Sequence, residues 1–272
     1  MILPVIIAGG VGSRLWPVSK NLLPKQFICF PQFKESLFQK TVNRIAGMSN
    51  VLPPLVICGK SHYSVVNEQL RSMKQIDGTI MLEPHGRGTA PACAMAALYA
   101  KQRDPETLLL VLPADHLIRD LAGFQQAIQL AMPAALQRYL VTFGIKPETH
   151  STGYGYIKMG ERIDGTSSFE VSCFAEKPEK SVAESYLRDG SYFWNSGMFL
   201  MSAKTYLDEL EKHATDAFKT CARSFENLIR KDNFLEIPES DFSACPNDSI
   251  DYAVMEKTTK AVVVTLDVGW ND

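Results

Sequence analysis

The sequence holds no C-x-x-C pair, no run of lysine and arginine, no internal repeat, and no apolar stretch near the roughly 20 residues needed to span a bilayer. Each absence removes a class of protein. Cys29, Cys58, Cys93, Cys173, Cys221 and Cys245 lie far apart, which argues against a zinc module or a small disulfide scaffold and fits a reducing cytosol. A formal charge of -2 without a basic cluster gives no footprint for nucleic acid. The apolar start from Ile2 to Ala8 has no basic flank and runs straight into glycines, as a buried strand does and a signal peptide does not. No nucleic-acid or membrane partner is expected, and the expected location is cytoplasmic. With 46% hydrophobic and only 21% charged residues, the 272-residue chain can bury a substantial core, and no linker divides it.

Short apolar runs at Leu3 to Ala8, Leu55 to Cys58 and Leu108 to Leu112 read as strands buried on both faces. Helix-like stretches lie at Ser36 to Ile45, Tyr63 to Met73 and Ala90 to Lys101. Alternation at this spacing predicts an α/β fold with a mostly parallel central sheet flanked by helices, and ligands beyond the carboxyl ends of its strands. From about Val141 the texture changes: Val141 to Gly144, Tyr154 to Met159, Phe169 to Ala175 and Met198 to Met201 read as strands with longer loops. This half is expected to extend the sheet and cover its rim. Lys204 to Leu235 reads as mostly helix, with Tyr206, Leu207, Leu210, Phe218, Phe225 and Leu228 facing inward. A single domain is expected, with halves of about 1–140 and 141–272. A sheet edge or the C-terminal helices could carry a homodimer, but nothing in the sequence specifies one.

After the first strand the chain runs Ala8, Gly9, Gly10, Val11, Gly12, Ser13, Arg14, Leu15, Trp16, Pro17, followed further on by Pro24, Lys25, Gln26 and Phe27. Three glycines in four positions let backbone N–H groups approach a polyphosphate, because no Cβ obstructs them. Arg14 and Lys25 supply positive charge beside that cradle, suited to a departing pyrophosphate. Two commoner phosphate motifs are excluded. The Walker pattern needs a lysine after its last glycine, where Ser13 stands, and the dinucleotide fingerprint needs a glycine at Leu15. Taken alone, the loop could equally be a glycine turn closing a strand.

The loop does not stand alone. With Pro24 to Phe27 it resembles the sugar-nucleotide pyrophosphorylases, a nucleotidyltransferase family. Further family motifs follow in order: Glu83-Pro84 through Arg87, Gly88, Thr89 and Ala90 to Ala92; Leu112 to His116; Gly153 to Ile157; Phe174 to Pro178; Trp194 to Phe199; Ser249 to Tyr252; and Gly269 to Asp272. The resemblance implies a Rossmann-like, GT-A-like fold with a sugar-binding insertion. It also implies transfer of GMP from GTP to mannose 1-phosphate, because Trp16 and Lys25 to Phe27 match the mannose-activating branch. Arg14, Lys25 and Lys177 would be catalytic. Ala8, Gly9, Gly10, Gly12, Ser13, Glu83, Arg87, Gly88, Thr89 and Asp115 would bind the nucleotide. Gly153, Tyr154, Glu176, Lys177, Asn195 and Asp251 would bind the sugar phosphate.

The implied cofactor is Mg²⁺ on Asp115 and Asp272, since two carboxylates with phosphate and water oxygens suit its octahedral preference. By itself an aspartate after a strand is more often a helix cap. His116 is expected to support or pack rather than ligate. The attacking phosphate is already an anion, so positioning and charge stabilisation suffice for an in-line displacement without a general base. Two departures stand out: Gly88 occupies a position where the family carries asparagine, and the family continues past Asp272. Two alternatives stay open. One is the same chemistry with another nucleoside triphosphate or hexose 1-phosphate; the other is a nucleotide-binding regulatory homologue without turnover.

Overall fold

The computed structural model describes residues 1–10, 24–30, 33–73 and 76–272; Gly12, Ser13 and Arg14 lie outside them. The elements of the first half are β1 (Ile2–Ile7), α1 (Leu37–Asn43), β2 (Leu55–Gly59), α2 (Tyr63–Ser72), β3 (Thr79–Glu83), α3 (Thr89–Lys101), β4 (Leu108–Pro113) and α4 (Leu121–Leu136). β1 pairs in parallel with β2 (Val5 opposite Leu55) and with β4 (Val5 opposite Val111), and β2 pairs in parallel with β3. The expected parallel sheet is thus present, and its carboxyl ends put the Gly9-Gly10 loop, Glu83 and Asp115 on one rim.

Alternation along the strands separates two cores, because successive side chains point to opposite faces. Leu3 and Val5 of β1, with Leu109 and Val111 of β4, pack under α3, while Ile2, Ile6, Leu108, Leu110 and Leu112 pack under α1, α2 and α4. Helix α3 is buried nearly all round, and its alanines let it lie close against the sheet while other helices pack on its outer side. α1 is fixed at its start by a capping box, in which the Ser36 hydroxyl accepts from the Gln39 N–H and the Gln39 side chain accepts from the Ser36 N–H.

The second half comprises β5 (Leu140–Ile145), β6 (Tyr156–Arg162), β7 (Phe169–Ala175), α5 (Lys180–Asp189), β8 (Tyr192–Ser202), α6 (Ala203–His213), α7 (Thr215–Glu226), β9 (Ile229–Arg230), β10 (Leu235–Glu236), α8 (Glu239–Phe242) and β11 (Ala261–Thr265), with a π-type turn at Asp251–Met255 before β11. Strand β8 joins the halves. Its end pairs antiparallel with β4, its middle with β5, and its start with β6. Strands β6 and β7 pair antiparallel, and β11 lies between β7 and β5. The sheet is therefore parallel in the first half and mixed beyond it.

Three expectations change. The strand expected at Met198 begins at Tyr192, so Trp194 and Asn195 sit on a strand rather than in a loop. The strand expected from Tyr154 begins at Tyr156 and runs on to Arg162. The helix expected over Lys204 to Leu235 breaks at Ala214 and ends at Glu226, after which two short strands follow. Its expected inward face holds: Tyr206, Leu207 and Leu210 are buried, and Phe218, Phe225 and Leu228 pack partly buried on the same core. No helix among the described residues is long and apolar enough to cross a membrane.

Candidate active site

Asp115 lies just past the end of β4. The last residues of the chain return to it, because Leu117 and Asn271 exchange backbone hydrogen bonds of 2.8 and 3.0 Å. The carboxylates of Asp115 and Asp272 and a ring nitrogen of His116 consequently fall within 4.8 Å of one another. The Lys25 ammonium stands between the two carboxylates, 3.2 Å from Asp272 and 3.6 Å from Asp115. Lys25 is held there by its neighbour: the buried Gln26 side-chain amide donates to the carbonyls of Ala8 (3.3 Å) and Gly10 (2.9 Å), tying the 24–27 turn to the glycine loop. Sequence reasoning used Gln26 only as a family marker; its structural task is to lock this loop.

His116 is buried, and burial pushes its pKa down, so the ring is neutral. The Trp270 indole N–H donates to His116 Nδ1 at 3.2 Å, which assigns the ring proton to Nε2. The Nε2–H then faces the Asp115 carboxylate at 3.9 Å, too far for a hydrogen bond. A nitrogen carrying its proton cannot ligate a cation, so the donors left for one are the two carboxylates. That hard-oxygen set fits Mg²⁺ better than zinc. The Lys25 ammonium marks a point on which both carboxylates converge and where a cation fits.

The second cluster lies at the end of β7 and on the first half of β8. Asn195 on β8 accepts from the Thr142 hydroxyl at 2.9 Å and donates to Asp251 at 2.8 Å. Glu176 receives the Lys177 ammonium at 2.6 Å, and Lys177 takes a positive φ of 45°. Burial, reinforced by Glu176, pushes the Asp251 carboxyl up to about 6, and the hydrogen bond to Glu176 raises Lys177. A Cβ at Gly155 would stand 2.5 Å from a Glu176 carboxylate oxygen, so a side chain there would push that carboxylate aside, whereas at Gly153 the nearest atom is the Ser151 hydroxyl at 3.6 Å. The close approach suggested by this glycine pair belongs to Gly155 alone. Tyr154 packs on Trp194 (5.1 Å between ring centres) and on Trp270 (5.3 Å), and Trp270 in turn meets His116 at 5.3 Å. This aromatic row connects the Asn195 cluster to the Asp115 cluster without a gap.

The residues expected on the nucleotide side divide. Glu83 ends β3 with its carboxylate beside Gly9; burial pushes its pKa up to about 7, and its Oε1 has no partner among the described residues. Arg87 and Thr89 are committed to protein contacts. The Arg87 guanidinium donates to the Ser243 carbonyl at 2.6 Å, and the Thr89 hydroxyl accepts from the Ile250 N–H at 2.9 Å. Gly88 has φ +79°, and a Cβ there would lie 2.2 Å from the Asp248 carbonyl oxygen. The departure from asparagine at this position therefore accompanies a tight approach of the 243–250 loop. A groove of about 810 Å³, lined in part by Val42, Met48, Pro53 and Pro54, opens beside the residues that precede β2, away from these carboxylates. Parallel sheets bind ligands at the other end, so the rim clusters are the better site.

The mannose-1-phosphate guanylyltransferase of Escherichia coli K12 is 47% identical over 274 residues, covering 99% of this chain and 57% of the relative. The xanthan biosynthesis protein XanB of Xanthomonas campestris pv. campestris B100 is 48% identical over 272 residues, covering all of this chain and 57% of that protein. The chain thus spans just over half the length of these relatives. Among solved structures, a mannose-6-phosphate isomerase from Helicobacter pylori superposes with a TM-score of 0.86 at 32% identity, covering 100% of this chain and 99% of that one. The model of the nucleotidyl transferase family matches residues 3–272, which takes in both clusters and the loop between β1 and Lys25, and the chain belongs to that family.

Proposed function

We propose that the chain transfers GMP from GTP to mannose 1-phosphate, releasing pyrophosphate and forming GDP-mannose. The observation that carries this reading is the continuity of the rim. Lys25, Asp115 and Asp272 at one end and Glu176, Lys177, Asn195 and Asp251 at the other are joined through His116, Trp270, Tyr154 and Trp194. Two anionic substrates held on one rim can meet in line.

In this reading a phosphate oxygen of mannose 1-phosphate attacks the α-phosphorus of GTP while the bond from that phosphorus to the bridging β-phosphate oxygen breaks. Lys177 holds the attacking phosphate. Its ammonium, now on Glu176 and half exposed, can turn to the incoming anion. Glu176 and Asp251 accept hydrogen bonds from sugar hydroxyls, and the buried Asn195 amide fixes Asp251. Lys25, with Arg14 from the glycine loop, stabilises the leaving pyrophosphate. Asp115 and Asp272 would hold Mg²⁺, which when bound neutralises charge on the triphosphate and orients it. Glu83, a carboxylate with an unused oxygen beside Gly9, can accept from the N1–H and N2–H donors of guanine, a pair adenine does not offer.

The name of the Helicobacter relative raises a second reading, isomerisation of a sugar phosphate. It leaves the glycine loop and the Asp115–Asp272 pair without a task, so the transferase reading has more support. The decisive assay is pyrophosphate release from GTP and mannose 1-phosphate with and without Mg²⁺, run beside other nucleoside triphosphates and hexose 1-phosphates. Product from GTP and mannose 1-phosphate alone is expected. Release with none of the sugar phosphates, in protein that binds GTP, would assign the chain to binding without turnover.

A further inference from the structure

Arg44 closes α1 deep inside the protein, only 1% exposed. Among the described residues no carboxylate pairs with its guanidinium, and its Nε and Nη1 have no hydrogen-bond partner. Burial lowers its pKa to about 10, which still leaves it charged at neutral pH. Its described side-chain contacts are the Phe124 ring, 5.5 Å below the guanidinium, and one hydrogen bond of 2.7 Å from Nη2 to the carbonyl oxygen of His116. The Gln125 side chain donates to the Arg44 carbonyl at 3.0 Å, anchoring the residue to α4. Burying an unpaired charge is costly, and an apolar residue would fill the same volume more cheaply. Natural proteins seldom leave such a group half satisfied without a reason.

The reason lies one residue away. The carbonyl that Arg44 grips belongs to the residue after Asp115, and Trp270 grips the ring of that same residue from the other side. Backbone and ring of His116 are thus clamped from α1 and from the C-terminal segment. Asp115, directly attached, has its Cα placed where its carboxylate meets Asp272. A positive charge behind two converging carboxylates also offsets their mutual repulsion before any ligand arrives.

We propose that Arg44 is a positioning residue of this site: through the His116 carbonyl it sets Asp115 against Asp272 for divalent-cation and nucleotide binding, without touching either ligand. The inference rests on reading the Asp115–Asp272 pair as the cation site. It separates Arg44 from a packing residue, because packing would affect both half-sites alike, whereas this clamp acts on the nucleotide half.

The test compares wild type with Arg44→Met, which removes charge and donors, and Arg44→Lys, which keeps the charge and one donor. Mn²⁺ uptake by the protein in the presence of GTP, in excess of that by GTP alone, is read by electron paramagnetic resonance, and KM for each substrate by steady-state kinetics at saturating Mg²⁺. Folding is checked by circular dichroism. Arg44→Met is expected to lose about tenfold or more in Mn²⁺ affinity, the usual effect of removing a residue that supports a metal ligand. Its KM for GTP should rise while that for mannose 1-phosphate stays put, with Arg44→Lys intermediate. Folded Arg44→Met with wild-type Mn²⁺ affinity, or with both KM values raised equally, overturns the proposal. If Arg44→Met does not fold, Arg44→Lys decides: wild-type Mn²⁺ affinity and GTP KM there overturn it. Wild-type protein that takes up no Mn²⁺ even with GTP present would instead overturn the cation-site reading itself, and the inference with it.

Discussion

At the scale of single residues, Glu83 shows how a site announces itself through an unfavourable placement. A carboxylate buried beside Gly9 with one oxygen unpaired is raised from 4.5 to about 7 because burial penalises its charged form. The folded state therefore binds a proton that the unfolded chain releases near pH 4.5. Stability must fall as pH rises from there to about 7, and the cost is fully present above that point. An upward shift of that size corresponds to on the order of 3 kcal/mol. Glu83→Gln keeps the shape without the titration. Urea denaturation is expected to show it equal to wild type near pH 4.5 and more stable at about pH 8. Equal pH slopes for the two proteins would mean that Glu83 ionises freely. The same substitution puts an amide N–H where the proposed guanine contact needs an acceptor, so the gain in stability should come with weaker GTP binding.

At the scale of elements, the junction of the α3 amino end with the 243–250 loop carries a steric prediction. Gly88 combines φ +79° with ψ -179°, a region open essentially to glycine, and the Asp248 N–H and carbonyl bond to Arg87 and Ala90 on either side of it. Restoring the asparagine of the family pattern would drive a Cβ to within 2.2 Å of the Asp248 oxygen. Gly88→Asn should cost about 1–3 kcal/mol in thermal unfolding and speed proteolysis of the 243–250 loop. An unchanged melting temperature would show that the loop yields freely.

The elements also show what could be read in advance. Continuous apolar runs gave away β1, β2 and β4, because a strand buried on both faces needs no alternation. The family motifs brought Asp115 and Asp272, and likewise Glu176, Lys177, Asn195 and Asp251, into the two clusters they form. What escaped notice lacked a local signal. β3 is five residues ending in a glutamate; α4 contains Gly123, Pro133 and no charged residue, so its polar face is faint. β8 carries polar Asn195 and Ser196 in its interior because there it bonds to Thr142 and Asp251 rather than packing on lipophilic neighbours. Arg44 could not be singled out, since an arginine near a helix end ordinarily marks a solvated terminus. Only the fold reveals that this one points under the rim.

At the scale of the whole molecule, the two halves meet through β8 and the aromatic row, and the charge arrangement at their junction favours a binding order. Without ligands, the Lys25 ammonium lies against both Asp115 and Asp272 and offsets part of their charge. A divalent cation arriving alone must displace that ammonium and leave it without a counter-ion. A cation arriving with a triphosphate supplies the displaced lysine with a new anionic partner, so the exchange costs little. Ligand binding to the folded state raises stability by about 2.7 kcal/mol at a hundredfold excess over the dissociation constant. Mg²⁺ alone at millimolar concentration should therefore barely move the melting temperature, GTP alone should move it modestly, and the two together should move it by more than the sum of their separate effects. Lys25→Met removes the competitor. In that variant Mg²⁺ alone should become stabilising while the excess from combining it with GTP shrinks. Additive shifts in wild type, unchanged by Lys25→Met, would mean that Lys25 does not trade one anion for another as the nucleotide enters.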